Sequence, residues 1–407
     1  MSLFAALRLP REILFGAGQS DAVGTVTARH GKRALVCTDA RFAGTDAFAR
    51  MIGALESASL TVSVFDAVEP DVPTGNVAAS VAHARGFAPD VVVGIGGGSC
   101  LDMAKCTALL VRHGGTLGDY YGEFRVPGPT LPVVAVPTTA GTGAEVTPVA
   151  VVSDESRTLK VGISSPWLIP VAAICDPDLT MTCPRGLTAI AGADALTHAI
   201  EAYTAVRRDA DAALPQSRVF VGKSALSDHF ALLAIRLLGA SLERACADGS
   251  DAAARADVML GALAAGCAFG TAGTGAAHAV QYPVGAVTGT PHGLGVAAML
   301  PFVMAYNRPA ALSEFADIAD CLGLSPSDGS PEGRAEAAIA EVARLFSAIG
   351  IPADLKALGL PADRLDWTAE QASGIDRLVK NNARPIDPAE MRRLVGAAYE
   401  GRLSAVG

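Results

Sequence analysis

Charge is scarce in this chain. Only 18% of its 407 residues are Asp, Glu, Lys or Arg, and none falls between Val258 and Asn307. Aromatic residues make up 5% against 50% hydrophobic residues overall. That Ala-, Gly- and Val-rich balance argues against a β-sandwich or a disordered chain and suits α/β layers with closely packed helices. Positive charge is also short: the net charge of −9 leaves no basic footprint for nucleic acid or an anionic membrane. No CxxC pair occurs among Cys37, Cys100, Cys106, Cys175, Cys183, Cys246, Cys267 and Cys321. Most of these lie in apolar runs, so buried reduced thiols are expected rather than disulfides or a zinc ribbon. Met1–Pro10 lacks a basic start followed by a sustained apolar core, so no signal peptide is expected. The charge-free stretch resembles membrane spans in composition, but repeated Gly and Pro283, Pro291 and Pro301 interrupt it and no interfacial anchor flanks it. A soluble cytoplasmic protein with no nucleic-acid or membrane partner is the expectation.

The length permits two domains with separate cores. Apolar, β-branched runs at 33–38, 60–65, 90–95 and 131–136 alternate with helical stretches such as Gly75–Gly86, the βαβ rhythm of a parallel sheet. Residues 149–153 and 159–163 read as a hairpin around a polar turn, and 172–175 as a last strand. Beyond Asp178 the strand signal ends, and 187–205, 228–246, 252–269 and 332–349 read as helices. Segment 207–227 is polar and turn-rich, a loop or insertion. The expected division is an α/β dinucleotide-binding domain over 1–180 and an all-helical metal and substrate domain over 181–407. The cleft between them is the default active site.

Gly96-Gly97-Gly98-Ser99 closes one strand and opens a helix. Glycines there let the backbone approach a pyrophosphate, and a helix N-terminus offers free N–H donors. It is not a full GxGxxG, since Ser99 stands where the third glycine belongs, and a steric turn explains it equally well. A second loop, Pro137–Thr147, follows another strand with clustered hydroxyls and glycines. Alone it could merely cap a helix; two such loops at one sheet edge favour a ligand there. Asp39 ends the strand 33–38, where a carboxylate accepts ribose hydroxyls and repels a 2′-phosphate, favouring NAD over NADP; an ordinary turn Asp also fits.

Asp194 and His198 stand four apart on one predicted helix face, a spacing shared by surface ion pairs and caps. His278 and His292 fall in the charge-free stretch, where a buried imidazole needs a partner. His292 follows Pro291 in a turn that can aim its ring. His30, His83 and His113 read as solvated, with His229 an exception beside the 207–227 segment. Imidazole and carboxylate together suit iron or zinc rather than calcium. A dinucleotide loop followed by such a set points to metal-assisted hydride transfer.

Taken together, these motifs resemble the iron-containing (group III) alcohol dehydrogenases. The likeness runs from Phe15-Gly16-Ala17-Gly18 to Asn381-Asn382-Ala383-Arg384-Pro385 and is most specific at Gly96–Asp102, Pro137–Thr142, Ala193–Tyr203 and the His278/His292 pair. It implies a dehydroquinate-synthase-like fold: an N-terminal Rossmann-like nucleotide-binding domain and a C-terminal helical metal-binding domain. It implies Fe²⁺, with Zn²⁺ as the substitute, held by Asp194, His198, His278 and His292. It implies NAD lined by Asp39, Gly97, Gly98, Ser99, Asp102, Thr138, Thr139, Thr142, Thr147, Lys160 and Leu179. Val68–Asp71 looks like the adenine-side loop. A small alcohol or aldehyde is the implied substrate and a homodimer the implied assembly. Many members carry a second His four residues past the third ligand; here Tyr282 stands there, as proton relay or as pocket wall. Pro283 biases Tyr282 away from helical geometry, which sets the wall role level with the relay. All four ligand positions are kept, which argues against metal-free relatives. The rival readings are a dehydroquinate-synthase-type lyase that uses NAD transiently and a non-catalytic NAD or metal sensor.

Overall fold

The computed structural model describes residues 4–326 and 329–406. The chain forms two compact units, one of Arg8–Cys183 with Ala212–Val219, the other of the residues up to Leu7, Pro184–Asp211 and the chain from Phe220 onward.

The first unit is built on strands β1 (Glu12–Phe15), β2 (Arg33–Cys37), β3 (Thr61–Phe65), β4 (Val91–Gly96), β5 (Gly122–Glu123), β6 (Val133–Pro137), β7 (Val149–Val152), β8 (Val161–Ser164) and β9 (Ala172–Cys175). Six of them make a sheet in the order β1-β9-β6-β4-β2-β3, with every pairing parallel. Central strands of a parallel sheet are covered on both faces, which is why β4 reads Val-Val-Val-Gly-Ile-Gly without a polar residue and is buried throughout. The period of two sorts its neighbours. Leu35, Cys37, Val92 and Val133 join one core with helix Gly98–His113. Ala34, Val36, Val93, Ile95 and Val134 join the other with helix Asp46–Ser57. β7 and β8 pair antiparallel, as the hairpin reading expected, with β5 beside β8.

The order of this sheet fixes where a ligand can sit. β3 lies on one side of β2 and β4 on the other, so the chain reverses direction of travel between β2 and β4. Ligands bind outside the strand C-termini at such a switch point, and Asp39 and the Gly96–Ser99 turn stand there.

The second unit is helical. Helix Arg185–Thr204 packs with Ala225–Ala247 and Ala252–Ala272. Their close approach depends on Gly192, where a Cβ would come within 2.2 Å of Leu242. Ala225–Ala247 and Ala252–Ala272 are long and apolar enough to cross a membrane by composition, but 72% of the apolar window of the latter is buried inside the protein. The charge-free stretch continues through helices Ala276–Thr288 and His292–Asn307. Here the structure corrects the reading of the prolines. Pro283 and Pro301 lie inside these two helices, and Tyr282 stays helical. Packing of the buried Val280, Gln281, Pro283 and Val284 holds the helix through Pro283 at the cost of one intrahelical hydrogen bond, the one Ala279 would otherwise accept. The breaks fall instead at Gly273–Gly275 and at Gly289–Pro291.

Candidate metal centre and dinucleotide loops

The helical unit gathers the histidines. Asp194 and His198 lie one turn apart on helix Arg185–Thr204, with His198 Nε2 3.6 Å from Asp194 Oδ1. His278 sits in the first turn of Ala276–Thr288, its Nε2 3.9 Å from the same oxygen. His292 opens the next helix directly after Pro291. Asp194, His278 and His292 each offer a ligand atom, all within 4.8 Å of one another. The rings confirm convergence: His198 stacks on His278 with centroids 4.8 Å apart, and His278 lies 5.3 Å from His292. Phe269 covers the other face of His198 at 4.1 Å. Tyr282 tilts toward His292 with a centroid distance of 6.0 Å. His229 is exposed against Phe230 and takes no part.

The set fits a divalent cation. Asp194 Oδ1 and His278 Nε2 are buried and have no hydrogen-bond partner among the described residues, a costly state that a shared cation relieves. Desolvation pushes the Asp194 carboxyl up to about 7, Glu201 adding to the rise and His278 opposing it. A carboxylate so penalised is stabilised by a cation beside it. Sequence reasoning gave no role to Glu201 or Phe269. Glu201 was legible as the third position in Asp194-x3-His198-x2-Glu201, a single helix face.

In the α/β unit the two glycine-bearing loops meet. Thr138 N donates to Gly96 O at 2.9 Å. A Cβ on Gly98 would come within 2.6 Å of Thr142, and one on Gly97 within 3.4 Å of Thr139. Gly96, at φ 149°, has no room for a side chain, since a Cβ would fall 2.4 Å from Cys100 Sγ. Helix Gly98–His113 has Gly97 as its N-cap and no side chain capping it, which leaves its positive end for an anion. Asp39 does two things: Oδ1 accepts from Phe42 N at 3.0 Å as an N-cap, and Oδ2 faces Cys100 Sγ at 3.8 Å. Ser99 Oγ accepts from Asp71 N at 3.2 Å, and Lys160 pairs with Asp71, so Val68–Asp71 borders the same turn.

Beneath these loops lies a buried ionic group that the sequence did not announce. Lys105 is fully buried and donates to Thr147 O at 3.1 Å and Val149 O at 2.8 Å. Asp102 Oδ2 accepts from Val151 N at 2.9 Å. Burial lowers the Lys105 pKa, raises that of Asp102, and pushes Glu145 up to about 7. Among the described residues Thr138 Oγ1 and Thr147 Oγ1 have no hydrogen-bond partner, while Asp102 Oδ1 lies 3.8 Å from Lys105 Nζ.

Comparison with known proteins places this arrangement. The profile of the iron-containing alcohol dehydrogenases matches residues 10–177, and that of the family's C-terminal region matches 188–399. Long-chain-alcohol dehydrogenase 1 of Geobacillus thermodenitrificans is 36% identical over 91% of this chain and 91% of its own length. The NAD-dependent methanol dehydrogenase of Bacillus methanolicus is 35% identical over 89% of this chain and 92% of its own. The crystal structure of a 1,3-propanediol oxidoreductase superposes with a TM-score of 0.91 at 34% identity, covering 97% of this chain and 100% of that one. The chain belongs to the iron-containing alcohol dehydrogenase family. It is an oxidoreductase of the iron-containing alcohol dehydrogenase type.

Proposed function

We propose that this protein interconverts a small alcohol and its aldehyde with NAD, on Fe²⁺ held by Asp194, His198, His278 and His292. The carrying observation is the pair of buried, partnerless atoms, Asp194 Oδ1 and His278 Nε2, set among three converging imidazoles. When bound, the ion supplies a Lewis acid for the substrate oxygen while NAD takes or gives the hydride. Asp194 contributes the single negative charge among the ligands. Phe269, stacked on His198, keeps water from that side of the site. Zn²⁺ suits the same donors.

Asp39, Gly97, Gly98, Ser99, Asp102, Thr138, Thr139, Thr142, Thr147, Lys160 and Leu179 hold the dinucleotide in this reading. The switch point, the uncapped helix end and the partnerless hydroxyls of Thr138 and Thr147 support it. Asp39 favours NAD over NADP by repelling a 2′-phosphate. Tyr282 walls the site beside His292 or relays a proton through its hydroxyl. A cytoplasmic homodimer completes the proposal: buried thiols such as Cys37 suit a reducing compartment, and the family resemblance favours two subunits.

The test is NADH formation across a panel of alcohols, before and after chelation, with Fe²⁺ or Zn²⁺ restored. Turnover that vanishes on chelation and returns with metal supports the reading; full activity in metal-free protein overturns it. A lyase or a sensor gives no net NADH with any alcohol.

A further inference from the structure

Glu201 lies one further turn along the helix that carries Asp194 and His198, and it is 4% exposed. Its carboxylate is fully engaged, yet by no group on its own helix. Oε2 accepts from Gly275 N at 2.9 Å and lies 2.5 Å from His278 Nδ1, and Oε1 accepts from Ala277 N at 2.7 Å. Gly275 is the N-cap of helix Ala276–Thr288 and brings no capping side chain. Glu201 therefore caps that helix from a neighbour, and one of the same oxygens, Oε2, also holds the imidazole three residues past the cap.

We propose that Glu201 is a positioning residue for the metal centre, setting both the tautomer and the aim of His278. An ionised carboxylate can only accept, so the proton sits on His278 Nδ1 and the lone pair on Nε2. Nε2 is the atom that faces Asp194 Oδ1 and has no hydrogen-bond partner. The ring is fixed at its rear, and the backbone beneath it is fixed by the same side chain. Space is reserved for this: a Cβ on Gly275 would come within 3.3 Å of Glu201 Oε1 and 3.2 Å of Asn382 Oδ1. Asn381 secures the same turn by donating to Ala272 O and Thr274 O, each at 3.0 Å. A carboxylate behind a ligating imidazole raises its basicity and fixes its orientation, and its loss typically costs about 10–100-fold in metal affinity.

The inference rests on the metal reading above, and its test separates the two. Glu201→Gln keeps the shape. With its oxygen toward Gly275 and His278 it turns an NH₂ against Ala277 N–H; flipped, it turns that NH₂ against Gly275 N–H and His278 Nδ1. Co²⁺ affinity, measured by competition with a chelating dye, should fall about 10–100-fold in Glu201→Gln and at least as far in Glu201→Ala. The visible spectrum of the Co²⁺ form should change, and NAD affinity, read by fluorescence, should not. The ¹⁵N shifts of the His278 ring in metal-free wild type should report a proton on Nδ1, which needs no variant. A proton on Nε2, or Glu201→Gln with wild-type Co²⁺ affinity and spectrum but a lowered melting temperature, overturns the role and leaves Glu201 as a cap. Wild type that binds no Co²⁺ at all overturns the metal reading itself.

Discussion

The dinucleotide loops and the histidine cluster solve opposite problems with opposite means. At the switch point of the sheet, the proposed dinucleotide site relies on backbone: glycines that remove side chains, a helix end without a side-chain cap, and hydroxyls beside it. In the helical unit the chain gathers side chains: Asp194, His198, His278 and His292, projected from three helices. Binding by backbone spreads over many residues and tolerates single changes at its hydroxyls, whereas binding by side chain concentrates in a few atoms. The difference predicts where one substitution is decisive.

The largest effect is expected at the metal centre. His278→Ala or His292→Ala should lower turnover by at least about 10³-fold, since Lewis-acid stabilisation is worth several kcal/mol. NAD binding by calorimetry should stay near the wild-type value; a parallel loss would erase the contrast between the regions. In the other region only a change of backbone should approach that severity. Gly96→Ala drives a methyl into Cys100 and should cost several kcal/mol of stability or fold yield, whereas Thr139→Ala should weaken NAD by about 1 kcal/mol, one hydrogen bond. Equal effects of these two substitutions in binding and melting experiments would break the distinction.

A third outcome concerns pH. The Asp194 carboxyl, normally near 3.8, is raised to about 7 by burial. Between those values the folded metal-free protein holds a proton that the unfolded chain has released, so its stability falls as pH rises through that window. Metal removes the penalty. Melting curves should show the slope in metal-free wild type, and should show it absent both with metal and in Asp194→Asn. A wild-type slope that persists in Asp194→Asn belongs to another group. Smaller effects close the series. Asp39→Gly should shift preference toward NADP by about tenfold, the worth of one lost repulsion of roughly 1.4 kcal/mol. Tyr282→Phe should lower turnover and alter its pH profile if the hydroxyl relays a proton, and leave both unchanged if the ring is only a wall.

Much of this was legible in the chain. Val91–Gly96 announces a central parallel strand because both of its faces are buried and every residue shows it. Asp194 and His198 announce a shared face because helical spacing is local. Strand β1 was missed because Glu12-Ile13-Leu14-Phe15 is half-buried at a sheet edge and carries no alternation. The group around Lys105 was missed because its acceptors lie 42 and 44 residues away, on a different strand and its approach. Pro283 was misread because a local rule yielded to burial. Glu201 stood in plain sight, but its partners are 74 to 77 residues on, and only the folded chain shows what it holds.

The polar segment after Asp211 leads to a different kind of consequence. Arg8 donates to the carbonyls of Pro215 and Val219, and Glu123 accepts from Val219 N at 2.6 Å. Ala212–Val219 thus belongs with the sheet-bearing unit although both of its flanks are helical-unit sequence. The polypeptide passes between the two units more than once, and no single scission separates their sequences. A protein truncated at Cys183 would lack a piece of its own unit, and the complementary fragment would carry that piece with nothing to dock on. Gene dissection at the apparent boundary should yield two poorly behaved products, while co-expression of the two fragments should restore what neither keeps alone.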